Sequence, residues 1–218
     1  CDWSSDVCSS DLKFIEIFIF FLIIPIILIP TNTNIAMFST LTAVAIICVG
    51  YLKYKKVTLI NLKDFRFGQY LKIIFYKFLI VVTLVLTFSY FFDPSKFLNL
   101  PRSHFFLWLL IMILYPILSA FPQEIVYRSF FFKRYGNLFK NKKVLIFVNA
   151  FLFSFAHIIY LNPIVILFTF IGGLIMAESY SKHNSLIKVS IEHGLYGDIV
   201  FTSGLGAYFY HSQGLTIG

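Results

Sequence analysis

The chain has 218 residues, of which 59% are hydrophobic, only 13% are charged and 28 are phenylalanine. Soluble domains run at about 45–50% apolar and about 25% charged residues, so a fold of this length could not hide its apolar surface from water, and the composition predicts an integral membrane protein. The net charge is +8, but the basic residues cluster in short loops between apolar runs, a pattern that reports membrane topology and speaks against a nucleic-acid face.

Residues 1–12 are polar, begin with Cys1 and stop where the membrane pattern starts at Lys13. They resemble translated sequencing-linker read-through and are expected to be non-native, with the true N-terminus missing. Phe14 to Pro30 predicts a first span, with Glu16 near its start and Pro25 and Pro30 in it or at its end. A polar turn from Pro30 to Asn34 leads to a second span, Ile35 to Leu52. A basic loop follows, with Lys53, Lys55, Lys56, Lys63, Arg66 and Lys72 against Asp64 alone. Ile73 to Phe92 is a third span, with Lys77 close enough to its start to snorkel. Asp93 to His104, with Pro94 and Pro101, reads as a loop on the far side.

Phe105 to about Phe132 is longer than a straight span of about 20 residues and must tilt, kink or project, with Pro116 and Pro122 as the kink sites. Lys133, Arg134, Lys140, Lys142 and Lys143 make a second basic loop. Val144 to Leu161 is a fifth span, Asn162-Pro163 a turn, and Ile164 to Tyr180 a sixth span in which Gly172-Gly173 permits close helix approach. Leu186 to Thr202 is a seventh, and Gly204 to Tyr210 extends it or forms an interfacial segment. Cys48 lies in an apolar run and Cys1 and Cys8 at the start, so neither a disulfide framework nor a thiolate metal site can be built.

The expected fold is all-α, a polytopic transmembrane bundle of about seven spans and eight at most. Residues 13–104 form a three-span scaffold, 105–210 carry the chemistry, and 211–218 are a tail. The positive loops are expected in the cytoplasm of a bacterial cytoplasmic membrane. No inverted repeat of transporter type is visible, which leaves a transporter as the weaker reading of the intramembrane charges.

Those charges define the candidate site. Glu124 and Arg128 follow a long uncharged run and lie one helical turn apart. His157 and His193 stand in two later apolar segments. Intramembrane ionisable groups are expensive and point to function. For hydrolysis, a carboxylate beside an imidazole can hold and deprotonate water, and a second imidazole can stabilise the oxyanion. Alternatively, Glu124, His157 and His193 could together hold a metal-bound water on Zn2+. The plainer reading makes Glu124–Arg128 a structural ion pair and His157 a hydrogen-bonded core histidine.

Glu124-x-x-x-Arg128, then Phe153-x-x-x-His157, then His193 in a last apolar segment resembles the CAAX-protease and bacteriocin-processing (CPBP) intramembrane endopeptidases. That family includes the type II CAAX prenyl endopeptidases and the Abi proteins of bacteriocin self-immunity. The resemblance implies a helical bundle with a conical cavity open to the cytoplasm, where water activated by Glu124 and His157, with His193 at the oxyanion, cleaves a lipidated or membrane-bound peptide. Gln123, Arg128, Phe153 and Asp198 would support the site. Two positions depart from the family pattern. Gln123 stands where the first of two adjacent Glu is usual and cannot take up a proton. Gly197 stands where Asn or Asp is usual four residues after the His, with Asp198 next. Five residues of regular helix put Asp198 about 140° from His193, and a π-bulge at Gly194 or Gly197 would bring it back. The alternative function is therefore a catalytically impaired member that binds a membrane peptide or partner, or confers immunity.

Overall fold

The computed structural model describes residues 3–31, 34–60 and 67–209. Lys63, Asp64 and Arg66 of the first basic loop, Asn32 and Thr33 of the first turn, Cys1, and the tail from Tyr210 lie outside them. In hydrocarbon every backbone amide must be satisfied within its own segment, and these apolar sequences answer with helices. In chain order they are α1 (Trp3–Phe18), α2 (Ile24–Leu28), α3 (Asn34–Tyr54), α4 (Phe67–Phe92), α5 (Asn99–Ser103), α6 (Phe105–Tyr115), α7 (Phe121–Glu124), α8 (Phe131–Tyr135), α9 (Lys142–Ala156), α10 (Pro163–His183) and α11 (Leu186–Ser203). The polar start of the chain runs into α1 without a break, and the expected far-side loop contains the short α5.

Among the described residues, five helices are long and apolar enough to cross a membrane: Ile35–Tyr54, Lys72–Phe92, Phe105–Leu138, Lys142–Tyr160 and Pro163–His183. The expected first and seventh crossings are not among them. The first is divided by a π turn at Ile19–Ile23 and carries Pro25 and Pro30. The last, α11, carries Lys188, Glu192 and Asp198 within 18 residues. It is helical nonetheless because its neighbours are protein: it packs on α4, α6, α10 and the π turn that follows α6. Outward-facing side chains such as Phe106 (85% exposed) and Phe91 (76%) are apolar. On a soluble protein that surface would aggregate; here it faces lipid, and the chain is an integral membrane protein.

The overlong fourth segment is relieved where its prolines stand. A π turn occupies Pro116–Ala120 and a second occupies Ile125–Phe130, just beyond Pro122. Proline cannot donate to the carbonyl one turn back, and an inserted residue absorbs the missing bond. Helix ends in the C-terminal half are set by local polar residues. Asn141 and Asn162 cap α9 and α10 by accepting from Lys143 N at 2.8 Å and Ile164 N at 2.9 Å, and Pro163 takes the first-turn position where no donor is needed. Asn184 turns the chain in the left-handed region (φ 46°), and Ser185 opens α11.

One core joins Phe21, Leu52, Phe131, Tyr135, Phe153, Met176 and Val189, and so ties the scaffold to the later helices. Arg134 reinforces that joint, donating from Nε and Nη2 to the two oxygens of Glu16 at 3.0 and 2.6 Å, with the Tyr135 hydroxyl adding a bond at 3.2 Å. The α9–α10 interface depends on Gly173, where an added Cβ would stand 3.2 Å from Ala150 Cα, Ala150 O and the Phe153 ring. Gly173→Leu should therefore lower stability by about 1–3 kcal/mol through overpacking, read as a lower unfolding midpoint of the purified protein in detergent. Gly50→Ala, with nothing within 4 Å of the new Cβ, should leave that midpoint unchanged or raise it.

Candidate active site

Glu124 ends α7 at the second π turn, and its carboxylate is wholly buried. Its Oε1 lies 2.8 Å from His193 Nδ1, and its Oε2 lies 3.3 Å from Arg128 Nε. An isolated carboxylate here would cost many kcal/mol in lost hydration, so it persists only with such partners. Arg128, also wholly buried, donates from Nη1 to Asn149 Oδ1 at 2.9 Å and lays its guanidinium 4.9 Å from the Phe153 ring centroid. Asn149 donates in turn to the Tyr127 carbonyl at 2.7 Å. Glu124 Oε2, Arg128 Nε and Arg128 Nη2 are buried without hydrogen-bond partners. Buried orphans of this kind are uncommon and mark a place where a small polar group can be held.

The expected partners of Glu124 are rearranged. His193, expected at the oxyanion, is the imidazole that touches it. His157, expected beside it, ends α9 in a 3-10 turn, and its Nδ1 is bonded to the Phe153 carbonyl at 2.8 Å. A carbonyl only accepts, so Nδ1 carries the hydrogen and the neutral ring keeps its Nε2 lone pair. Both imidazoles contact the Phe153 ring, at centroid distances of 4.9 Å for His157 and 5.6 Å for His193. Phe153 is thus the common wall of the site. Among the described residues, no three His, Cys, Asp or Glu side chains come together so as to hold a metal ion. Glu124, His157 and His193 as they stand do not fit Zn2+.

The supporting residues divide. Gln123 spends its amide on Ser119, donating from Nε2 to Oγ at 2.8 Å, while its Oε1 is buried without a partner. The expected π-bulge is in the wrong helix: α11 is regular from Leu186 to Ser203, and both π turns near the site belong to the fourth segment, the first of them spanning Leu118, whose carbonyl Pro122 cannot bond. Asp198 consequently does not come round to His193, and its Oδ1 is buried without a hydrogen bond. The cavity of about 350 Å³ lined by Phe132, Phe139, Lys140, Lys142 and Tyr180 lies away from Glu124.

Glu192 belongs to a separate polar cluster. It is wholly buried on α11 and accepts from Ser179 at 2.9 Å, Lys77 at 3.4 Å and Tyr70 at 3.5 Å, which ties α4 and α10 to α11. Sequence reasoning missed Asn149 and Tyr115. Asn149 had a signal, since 149, 153 and 157 repeat at four and share one face of α9. The Tyr115 hydroxyl, 3.0 Å from His193 Nε2, had only a weaker one, its place immediately before Pro116.

A carboxylate beside an imidazole can hold and deprotonate a water. Residues 105–197 match the family model described as Type II CAAX prenyl endopeptidase Rce1-like. This stretch, which contains Glu124, Arg128, His157 and His193, is similar to that CAAX-protease family. No curated protein and no solved structure matches the chain.

Arg128 should prove structurally indispensable. Arg128→Met leaves the Glu124 carboxylate buried without its cation and should cost about 3–5 kcal/mol. Arg128→Lys keeps a charge but loses the planar fork and its stacking on Phe153, and should fall between wild type and Met. Denaturant unfolding in mixed micelles would check the order.

Proposed function

We propose that the chain is an endopeptidase that hydrolyses a peptide bond in a membrane-bound or lipidated protein or peptide. The observation that carries this reading is the 2.8 Å contact between Glu124 Oε1 and His193 Nδ1, buried among apolar helices within the family-matched stretch. Two proton acceptors are available to a water. One is Glu124 Oε2, which has no hydrogen bond; the other is His157 Nε2, whose lone pair follows from the Nδ1 bond to Phe153. Their role is to take a proton as water attacks the scissile carbonyl and to return it to the leaving amine as the C–N bond breaks. His193 donates from Nδ1 to Glu124 and accepts at Nε2 from the Tyr115 hydroxyl, so in the neutral ring its role is to orient the carboxylate. Arg128 pairs with the Glu124 carboxylate at 3.3 Å and holds it in place. The substrate arrives through the lipid phase, in keeping with the apolar exterior, and the basic loops face the cytoplasm of a bacterial membrane.

One observation favours a second reading, a non-catalytic member that binds a membrane peptide or confers immunity. Gln123, where the family pattern has a Glu, is committed to Ser119. A single comparison separates the two. New peptide termini are mapped in membranes expressing wild type, Glu124→Ala, His157→Ala or His193→Ala, with insertion of each verified. The protease reading expects termini seen only with wild type, and about 100-fold less product in each variant. Identical termini in all four membranes would remove it and leave the binding reading.

A further inference from the structure

We propose that Tyr115 is a positioning residue of this site: its hydroxyl holds His193 Nε2 while Glu124 holds Nδ1, in a space that Gly194 and Gly197 keep open. Tyr115 is the last residue of α6, and its hydroxyl lies 3.0 Å from His193 Nε2. With Nδ1 on Glu124 at 2.8 Å, both ring nitrogens are engaged. An ionised carboxylate only accepts, so in the neutral ring Nδ1 carries the hydrogen and Nε2 accepts from the Tyr115 O–H. One tautomer and one ring direction are thereby selected, which is what a second partner on a working histidine does.

The facing helix is cut to fit this side chain. A Cβ at Gly197 would fall 2.0, 2.4 and 2.5 Å from Tyr115 Cε1, Cζ and Oη, so the ring occupies the volume a side chain at 197 would need. A Cβ at Gly194, one turn earlier, would stand 3.1 Å from Pro116 Cβ. Two glycines on α11 therefore form the hollow that Tyr115-Pro116 fills, and His193 stands beside it. Phe201 closes the other side, its ring 5.2 Å from that of Tyr115. Gly197 is bare because the ring needs the room, and the hydroxyl that the ring carries is what reaches His193 Nε2.

The catalytic consequence rests on the protease reading; the hydrogen bond does not. The test therefore has two readouts. The full chain, labelled with 15N-histidine and held in nanodiscs at one pH, is compared as wild type, Tyr115→Phe and Gly197→Ala, with His193 signals assigned by His193→Gln. Cleavage is followed on a peptide carrying the site found by the terminus comparison. Tyr115→Phe should move the His193 Nε2 resonance, leave His157 in place, and lower kcat about 10–100-fold with KM unchanged. Gly197→Ala should move the same resonance although the hydroxyl is retained, because the ring is displaced. If wild type cleaves while Tyr115→Phe alters neither the resonance nor kcat, the inference falls and the protease reading stands. If wild type cleaves nothing but both variants move the resonance, the protease reading falls and the contact stands.

Discussion

The structure turns on one buried charge. Glu124 has no contact with water, so its carboxylate must be neutralised and hydrogen-bonded from inside the protein. Arg128, one turn on, supplies the cation, and His193 reaches across from α11 to supply the bond. Each partner then makes its own demands. Arg128 requires Asn149 and the face of Phe153, which fixes α9 against the fourth segment. His193 requires α11 to come close, and two glycines admit it. The local architecture of residues 105–203 follows from satisfying a single carboxylate.

The remaining intramembrane charges are handled separately. Glu192 faces Tyr70, Lys77 and Ser179, away from the site, and fastens α4 and α10 to α11. Glu16 and Arg134 pair near the other end of the scaffold contact. Each polar cluster bridges helices distant in sequence, where packing of one apolar face on another would leave their register undetermined. Glu124, Arg128 and Asp198 leave buried polar atoms without a hydrogen bond, as Glu192 does at Oε2; what sets Glu124 apart is the imidazole held against it.

Helix content, membrane class and the polar trio were legible in the sequence because each has a local signature. Apolar runs set the helices, Pro116 and Pro122 marked where the fourth would distort, and charge in apolar surroundings marked Glu124, His157 and His193. Pairing was not legible. That His193 rather than His157 meets Glu124 depends on how α11 seats against the π turns, a property of packing that no spacing within α11 expresses. Glycine at 197 permits a bulge but does not require one, and the π turns stand in the proline-bearing fourth segment instead. The absence of a side chain at 197 reads in sequence as a lost functional group; in the fold it is the room occupied by Tyr115. Among the described residues α11 is not one of the helices apolar enough to cross by composition, because its charges suit a helix surrounded by protein.

The central claim is that Glu124 and His193 form one buried unit. The most direct measurement is a double-mutant cycle on unfolding free energy with Glu124→Gln, His193→Ala and the double variant in mixed micelles. The account predicts a coupling of about 1–3 kcal/mol between the two positions, as for groups in direct contact. Effects that simply add, to within about 0.5 kcal/mol, would mean that the two residues do not meet, and the site as described would be wrong.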